Sequence, residues 1–292
     1  MFPDEIKQFI EKWLSAEIST GSRIIEVNPL SGGSIHEAFS ILTPSGKYFL
    51  KYNIAGRYPN MFSAEAKGLD ILKKTLCIDV PHVFLTTETG RFTFILEEFV
   101  ESGKPLQDFY AIFGQQLAAL HTHSSETFGL DHHNYIGTIS QSNNQHGTWL
   151  DFMINERLLP LLKIAVDQGK LNMTDSRKFH SLFNYLPEII PLEKPALLHG
   201  DLWSGNYLTG KQGLPCIFDP AVYFGHREMD IAMTRLFGGF SADFYESYNA
   251  FFPLEPGWKN RTSIFQLYPL LVHAILFGGS YTAEIRQTIG KF

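Results

Sequence analysis

His199-Gly200-Asp201-Leu202-Trp203-Ser204-Gly205-Asn206 is the stretch on which the reading of this chain turns. The apolar run Ala196-Leu197-Leu198 leads into it, and Pro215-Cys216-Ile217-Phe218 follows it and delivers Asp219. Short apolar runs of this kind read as buried strands. They carry His199, Asp201, Asn206 and Asp219 to one place. A carboxylate there can orient an attacking hydroxyl. Asparagine and a second aspartate offer hard oxygen ligands to Mg²⁺. Phosphoryl transfer asks for little more, because the protein takes almost no covalent part in it.

The spacing sharpens this. Asn206 follows Asp201 by five residues, and Asp219 follows Asn206 by thirteen, the spacing of a kinase catalytic loop. Such a loop needs a cation for the phosphates, and the N-terminal part holds a candidate. Lys51 lies in Tyr48-Phe49-Leu50-Lys51-Tyr52, a lone cation in a bulky apolar strand. Fourteen residues on, Glu65 borders the helical stripe Phe62, Ala66, Leu69, Leu72 and Leu76. A strand lysine ordinarily points to solvent. A carboxylate at the edge of a buried face, however, wants a cationic partner, because an unpaired buried charge is costly. Lys51 and Glu65 are expected to pair and to hold the α- and β-phosphates.

Around this pair the periodicity predicts an amphipathic helix over 4–18, with Ile6, Phe9, Ile10, Trp13 and Leu14 on one face. Strands are predicted at 23–27, 36–43, 47–52, 80–85 and 91–100. Gly32, Gly33 and Ser34 fall in the turn between the first two. A glycine pair there makes a tight hairpin, or a loop whose backbone N–H groups close over phosphates. Composition shifts after Glu101-Ser102-Gly103, and from Pro105 onward the pattern is helical. The fold class is therefore α+β and bilobal. A five-stranded antiparallel sheet plus helix forms a nucleotide-binding lobe over 1–102, and a mostly helical catalytic and substrate-binding lobe spans 103–292. A connector between lobes creates a crevice. The backbone of Glu98, Phe99 and Val100 is expected to meet the adenine edge there, while the acidic side chains of Glu97 and Glu98 need not touch the nucleotide.

In the second lobe, residues 124–148 read as a polar loop, 149–169 as one long helix and 174–186 as another. His121 reads as a hydrogen-bonded core histidine. Asp230 opens a helix, where a carboxylate can cap free N–H groups.

Composition excludes several classes. The net charge of −6, from 24 basic and 30 acidic residues, argues against a general nucleic-acid or anionic-membrane binder, which needs a basic surface. Cys77 and Cys216 sit in apolar settings with no metal-ligand spacing, so reduced core thiols in the cytoplasm are expected. The N-terminus lacks the basic-then-apolar order of a signal peptide. The apolar segment 264–281 is interrupted by Gln266, Pro269, His273 and Gly278-Gly279 and reads as a buried helix, not a membrane span.

Gly loop, strand lysine, helix glutamate, connector, catalytic loop and second aspartate occur in kinase order. The chain departs from protein kinases in reading His-Gly-Asp for His-Arg-Asp and Asp219-Pro220-Ala221 for Asp-Phe-Gly, and in lacking an Ala-Pro-Glu segment, so an activation loop switched by phosphorylation is not expected. It is similar to the small-molecule kinases of the aminoglycoside phosphotransferase and choline kinase type. The Trp203-Ser204 variant of the loop resembles the fructosamine kinase (ketosamine-3-kinase) family. So do Gly32 to Phe39, Asn134 to Thr138, Trp149 to Phe152 with Glu156 to Leu158 and Pro160, and Phe218 to Tyr223 with Gly225 to Asp230, and the resemblance covers nearly the whole chain.

The resemblance implies ATP-dependent, Mg²⁺-assisted phosphorylation of the C3 hydroxyl of a ketosamine, either a small molecule or a glycated lysine on a protein. Asp201, with a pKa in the ordinary carboxylate range, would take the hydroxyl proton. Asn206 and Asp219 would hold the metal, and His199 and Asp230 would orient and brace the loop. Trp203 and Trp149 are the aromatics placed near the sugar-amine site. A monomer is expected rather than an obligate oligomer. The competing readings are a kinase of another small alcohol, such as an aminoglycoside, choline or homoserine, and a nucleotide-binding pseudokinase.

Overall fold

Strand alternation builds the N-terminal lobe. The computed structural model describes residues 2–18, 20–30 and 37–292. Helix α1 (Asp4–Glu17) leads to β1 (Glu26–Pro29), β2 (Glu37–Thr43) and β3 (Gly46–Ile54). Helix α2 (Met61–Lys74) follows, then β4 (Val83–Thr89) and β5 (Phe92–Glu98). The sheet order is β1-β2-β3-β5-β4, with every neighbouring pair antiparallel. The first strand starts later than the sequence predicts, because the Ile24 N–H is taken by the Glu11 carboxylate of α1. The fourth starts beyond Pro81, which has no N–H for a ladder.

Successive side chains in these strands point to opposite faces. Phe39, Leu50 and Leu96 stand opposite one another across β2, β3 and β5. They pack with Ile6, Ile10 and Leu14 of α1 into one core. The other face carries Ala38, Lys51 and Ile95 in one row and Phe49 opposite Glu97 in the next. That second face roofs a cleft.

The C-terminal lobe begins at α3 (Phe109–Leu120). A short hairpin follows, β6 (Asn134–Ile136) and β7 (Ile139–Gln141), inside the stretch that reads as plain loop. Helix α4 (Trp149–Phe152), a π-helical turn (Met153–Leu158) and α5 (Leu159–Asp167) replace the single predicted helix. Pro160 has no N–H to continue an α ladder, and the widened turn just before it absorbs the break. Helix α6 (Met173–Ile189) starts on a capping box formed by Asn172 and Asp175. Next come β8 (Ala196–Leu198), β9 (Tyr207–Thr209), β10 (Pro215–Ile217) and β11 (Tyr223–Gly225), and then α7 (Glu228–Leu236), α8 (Ala242–Phe251), α9 (Trp258–Phe265), α10 (Leu267–Phe277) and α11 (Tyr281–Ile289). Among the described residues, no helix is long and apolar enough to cross a membrane. Cys77 and Cys216 are free thiols.

Behind the catalytic stretch, the lobe buries His226 between Trp149 and Phe265, with ring centroids at 5.9 and 4.9 Å. Its Nδ1 accepts the Glu228 N–H at 3.2 Å, which makes Nε2 the protonated nitrogen of a neutral ring. Burial lowers its pKa to about 4, against the opposing pull of Glu193. An unfolded histidine takes up its proton near pH 6.5, whereas folded His226 does so only near 4. Stability is therefore expected to fall as pH drops through that window. Between pH 7 and 4.5 the wild type should lose about 2–3 kcal/mol more than His226→Gln, by the linkage relation, and denaturant unfolding at the two pH values measures the difference.

Candidate active site

Two short antiparallel pairs close the stretch from His199 to Asp219 on itself. β8 pairs with β11, Leu198 opposite Tyr223, and the Ala221 N–H donates to the His199 carbonyl at 2.9 Å. β9 pairs with β10, Tyr207 opposite Ile217, and the Phe218 N–H donates to the Asn206 carbonyl at 3.0 Å. The two ladders thereby bring Asp201, Asn206 and Asp219 together. Gly200 makes the crossing possible. Its φ is +84°, and a Cβ there would collide with the Ala221 carbonyl oxygen. Asp219 itself has φ +55°. That is a left-handed conformation unusual outside glycine, of the kind stored at functional sites.

Asp201 stands at the head of the loop. The Asn206 side-chain amide donates to the Asp201 carbonyl at 2.8 Å and to its Oδ2 at 3.1 Å. Asp201 is not in the ordinary carboxylate range. Burial pushes its pKa well above that range, and the Asp219 charge adds to the effect, against the Asn206 hydrogen bond. Such a shift suits a group that must take up a proton.

Lys51 reaches this cluster from the roof. It pairs with Glu65 of α2 and donates to Asp219 Oδ1 at 2.6 Å. Burial alone would lower its pKa, but Asp219, Glu65 and Glu97 together hold it above the usual lysine value. One permanently charged ammonium thus ties the sheet, α2 and the segment after β10. Helix α2 is held down at its far side too. A Cβ on Gly68 would press on Val222 at 3.2 Å, and Tyr135 donates to the Pro59 carbonyl at 3.0 Å.

The loop is braced from behind. Asp230, in the first turn of α7, accepts the N–H groups of His199 at 2.7 Å and Gly200 at 2.9 Å. Its carboxylate thus serves the catalytic stretch, not the start of its own helix. His121 Nε2 lies 3.3 Å from Asp230 Oδ2, and His121 Nδ1 pairs with the Tyr248 hydroxyl at 2.7 Å. Burial would raise the Asp230 pKa, but these donors and the nearby imidazoles hold it below the usual range. His199 donates from Nε2 to the Phe218 carbonyl at 3.0 Å and accepts the Asp201 N–H at Nδ1. Burial lowers its pKa, so it acts as a neutral strut.

The polar stretch 124–148 has a structural use. Asn134 donates to the Val222 carbonyl at 2.8 Å, and Gln141 to the Asn134 side-chain oxygen at 2.7 Å. Fully buried Arg157 donates to Asn143 Oδ1 at 2.7 Å and lies over the Tyr223 ring, 4.1 Å from its centroid. Buried polar groups of this kind stabilise only when partnered. Here the partners fix the segment that follows Asp219.

The cleft is about 770 Å³ and lies between the lobes. Lys51, Glu65, Asp201, Asn206 and Asp219 all line it, as do Glu98, Phe99 and Val100 of the connector. Leu30 and Ala38, which flank the Gly32-Gly33-Ser34 turn, line it as well. The turn itself lies outside the described residues. Trp203, His273 and Phe277 also line the cleft, as an aromatic wall, with Phe237 packed edge-on to Trp203 at 5.7 Å. The Trp203 ring covers Gly205 so closely that a Cβ there would overlap it.

Trp149 does not reach the cleft. It packs in the core against Phe128, Phe152, His226 and Phe265 at 5.7 to 6.3 Å. Thr148 caps α4 and so turns the first helical residue inward. Two features lie beyond the sequence reading. The approach of His273 and Phe277 of α10 to the cleft depends on tertiary packing and has no local signal. Glu97 does line the cleft, because the β3–β5 register puts it on the same face as Lys51, which no local pattern states.

For Mg²⁺ the donor set fits. The Asn206 amide nitrogen is committed to Asp201, leaving its carbonyl oxygen as a hard ligand, and the Asp219 carboxylate is 44% exposed to the cleft. Among the described residues no group of three or more His, Cys, Asp or Glu could cage a metal alone. Two protein oxygens, with the balance supplied by phosphates and water, is the usual Mg²⁺ arrangement.

Comparison with known proteins gives consistent results. The fructosamine kinase family matches residues 6–292. A probable ketoamine kinase of Vibrio parahaemolyticus is 39% identical, covering 97% of this chain and 98% of its own. Another from Enterococcus faecium is 37% identical over 91% of this chain and 95% of its own. The crystal structure of a candidate fructosamine-3-kinase from Haemophilus somnus aligns with a TM-score of 0.87 at 30% identity, over 97% of this chain and 96% of that one. An aminoglycoside phosphotransferase crystallised with AMP-PNP and hygromycin B aligns with a TM-score of 0.60 at 18% identity, over 96% and 98% of the two chains. The latter is a likeness of fold alone. The architecture is α+β and protein-kinase-like.

Proposed function

Because the chain belongs to the fructosamine kinase family and is therefore a phosphotransferase with an alcohol acceptor, we propose that it uses ATP and Mg²⁺ to phosphorylate the C3 hydroxyl of a ketosamine. The observation that carries this reading is the meeting of Lys51, Asp219, Asn206 and Asp201 in one cleft that Trp203 also lines. The related fold that was crystallised with AMP-PNP supports ATP as the donor.

In this reading the base lies against the backbone of Glu98 to Val100, and the Lys51 ammonium neutralises the α- and β-phosphates. Glu65 keeps that ammonium in place. Asn206 and Asp219 hold Mg²⁺, which when bound would neutralise charge on the phosphates. Asp201 accepts a hydrogen bond from the sugar hydroxyl, aligns its oxygen, and takes the proton as transfer completes. Its raised pKa keeps it a competent proton acceptor late in the reaction. Asp230, His199 and His121 hold the loop still, so alignment is built in before the substrate arrives. Trp203 offers an aromatic face to the sugar-amine portion. The 3-phosphate then breaks down and releases the amine, which makes deglycation of small amines or protein lysines the cellular outcome, in the cytoplasm where ATP is available.

A steady-state screen of ADP release tests this. Ribulosamine, erythrulosamine and fructosamine acceptors are compared with an aminoglycoside, choline and homoserine. At least one ketosamine should exceed every other alcohol in kcat/KM by about 100-fold or more, a margin within reach of a site that hydrogen-bonds its substrate. Preference for choline or an aminoglycoside would assign the chain a different acceptor.

A further inference from the structure

Glu97 is a buried charged residue of the cleft whose side chain has no part in the phosphoryl transfer described above. It lies on the cleft face of β5, directly opposite Phe49 and two residues beyond Ile95, the partner of Lys51. It is 2% exposed, yet it lines the cleft. Its Oε1 is buried and has no hydrogen-bond partner among the described residues. Lys51, the nearby cation, is already committed to Glu65 and Asp219. A buried acceptor left unsatisfied is costly, so the site is built for a donor that arrives from outside.

The position indicates which donor. Glu97 immediately precedes Glu98-Phe99-Val100, which line the same cleft. In the nucleotide reading above, with a purine edge along that backbone, a six-position substituent turned toward β5 would meet the Glu97 carboxyl. We propose that Glu97 reads this substituent, accepting a hydrogen bond from the exocyclic amine of adenine and rejecting purines that carry a carbonyl there. The inference rests on the nucleotide reading above and names the residue that makes it specific for adenine. Burial and the neighbouring Glu65 and Asp219 charges hold Glu97 well above the usual carboxylate range, against the pull of Lys51. The assignment does not depend on its protonation. An ionised carboxylate accepts at both oxygens, and a neutral acid with its proton turned to Glu65 keeps Oε1 as a carbonyl acceptor. A six-oxo purine would set acceptor against acceptor in either case.

Calorimetric titration with Mg²⁺ and no sugar acceptor tests the proposal, using ATP, purine riboside triphosphate (no six-substituent) and ITP (six-oxo). Wild-type protein should bind ATP about 10-fold more tightly than purine riboside triphosphate and about 100-fold more tightly than ITP. Glu97→Met, which removes the acceptor, should bring all three within about threefold of one another. Glu97→Gln can turn either its oxygen or its amine to the base, and should narrow the ATP-to-ITP ratio while keeping the shape of the site. The glutamine variant carries the test if the methionine variant fails to fold. Equal binding of the three nucleotides by wild type, or unchanged ratios in the variants, would reduce Glu97 to a packing group. Failure of wild type to bind any purine triphosphate is a different result, and it would sink the nucleotide reading itself.

Discussion

Asp201→Asn will lower kcat by about 10³-fold, within the range that a positioned general base contributes, while leaving KM for ATP nearly unchanged. The asparagine keeps the shape and still accepts a hydrogen bond, so substrate is held, but it cannot take the proton. The same substitution should not destabilise the protein. Asp201 is pushed toward its neutral form by burial and by Asp219, and a neutral isostere removes that penalty. Steady-state kinetics at saturating ATP, paired with thermal unfolding, separates the two effects. A variant that keeps near-wild-type kcat would remove Asp201 from its role as base. A variant that loses both activity and stability would show that the residue holds the loop together.

Lys51→Met will act on both binding and stability. One ammonium pairs with the Glu65 and Asp219 carboxylates, and the Glu97 carboxyl lies within reach of its charge. Its removal should reduce kcat/KM for ATP by about 10²–10³-fold, in line with loss of a preorganised electrostatic contact. Breaking a buried ion pair usually costs about 3–5 kcal/mol because the partner charge is left behind. Here the abandoned acids can respond by binding protons. Glu65 and Glu97 already have raised pKa values from burial, and without Lys51 those values rise further. The folded variant then holds more protons than the unfolded chain near neutrality. Its stability should fall as pH increases from 5 to 8, more steeply than that of wild type. Urea unfolding across that range checks the slope. A flat profile would mean that the acids are not coupled through Lys51.

Much of the site was legible because its chemistry is carried by spacing. The octapeptide, the two apolar runs around it and the Asp219 offset state which side chains must meet. The lone Lys51 in an apolar strand and Glu65 beside an apolar stripe state the need for a partner. What the sequence could not state is direction. Trp149 and Trp203 look alike as isolated aromatics. Thr148 caps a helix that turns Trp149 into the core, while Trp203 folds over a glycine at the cleft. Polar residues from 124 to 148 suggest solvent, yet Asn134, Gln141 and Asn143 are buried, because backbone carbonyls of the Ala221-Val222 segment and the Arg157 guanidinium need partners inside. Asp201 read as an ordinary carboxylate because burial is a property of the fold and not of the loop. Glu97 was passed over because its importance depends on which strand face meets the cleft.

The proposed acceptor of the phosphoryl group is one particular hydroxyl, on C3 of the sugar. Phosphorus-31 NMR with proton correlation, on the product formed from ATP, Mg²⁺ and a ribulosamine, tests it most directly. A new phosphomonoester resonance coupled to the proton on C3 of the sugar is expected, forming about 10³-fold more slowly with Asp201→Asn. A phosphate coupled to another carbon, or an unchanged acceptor in the presence of bound ATP, would contradict it.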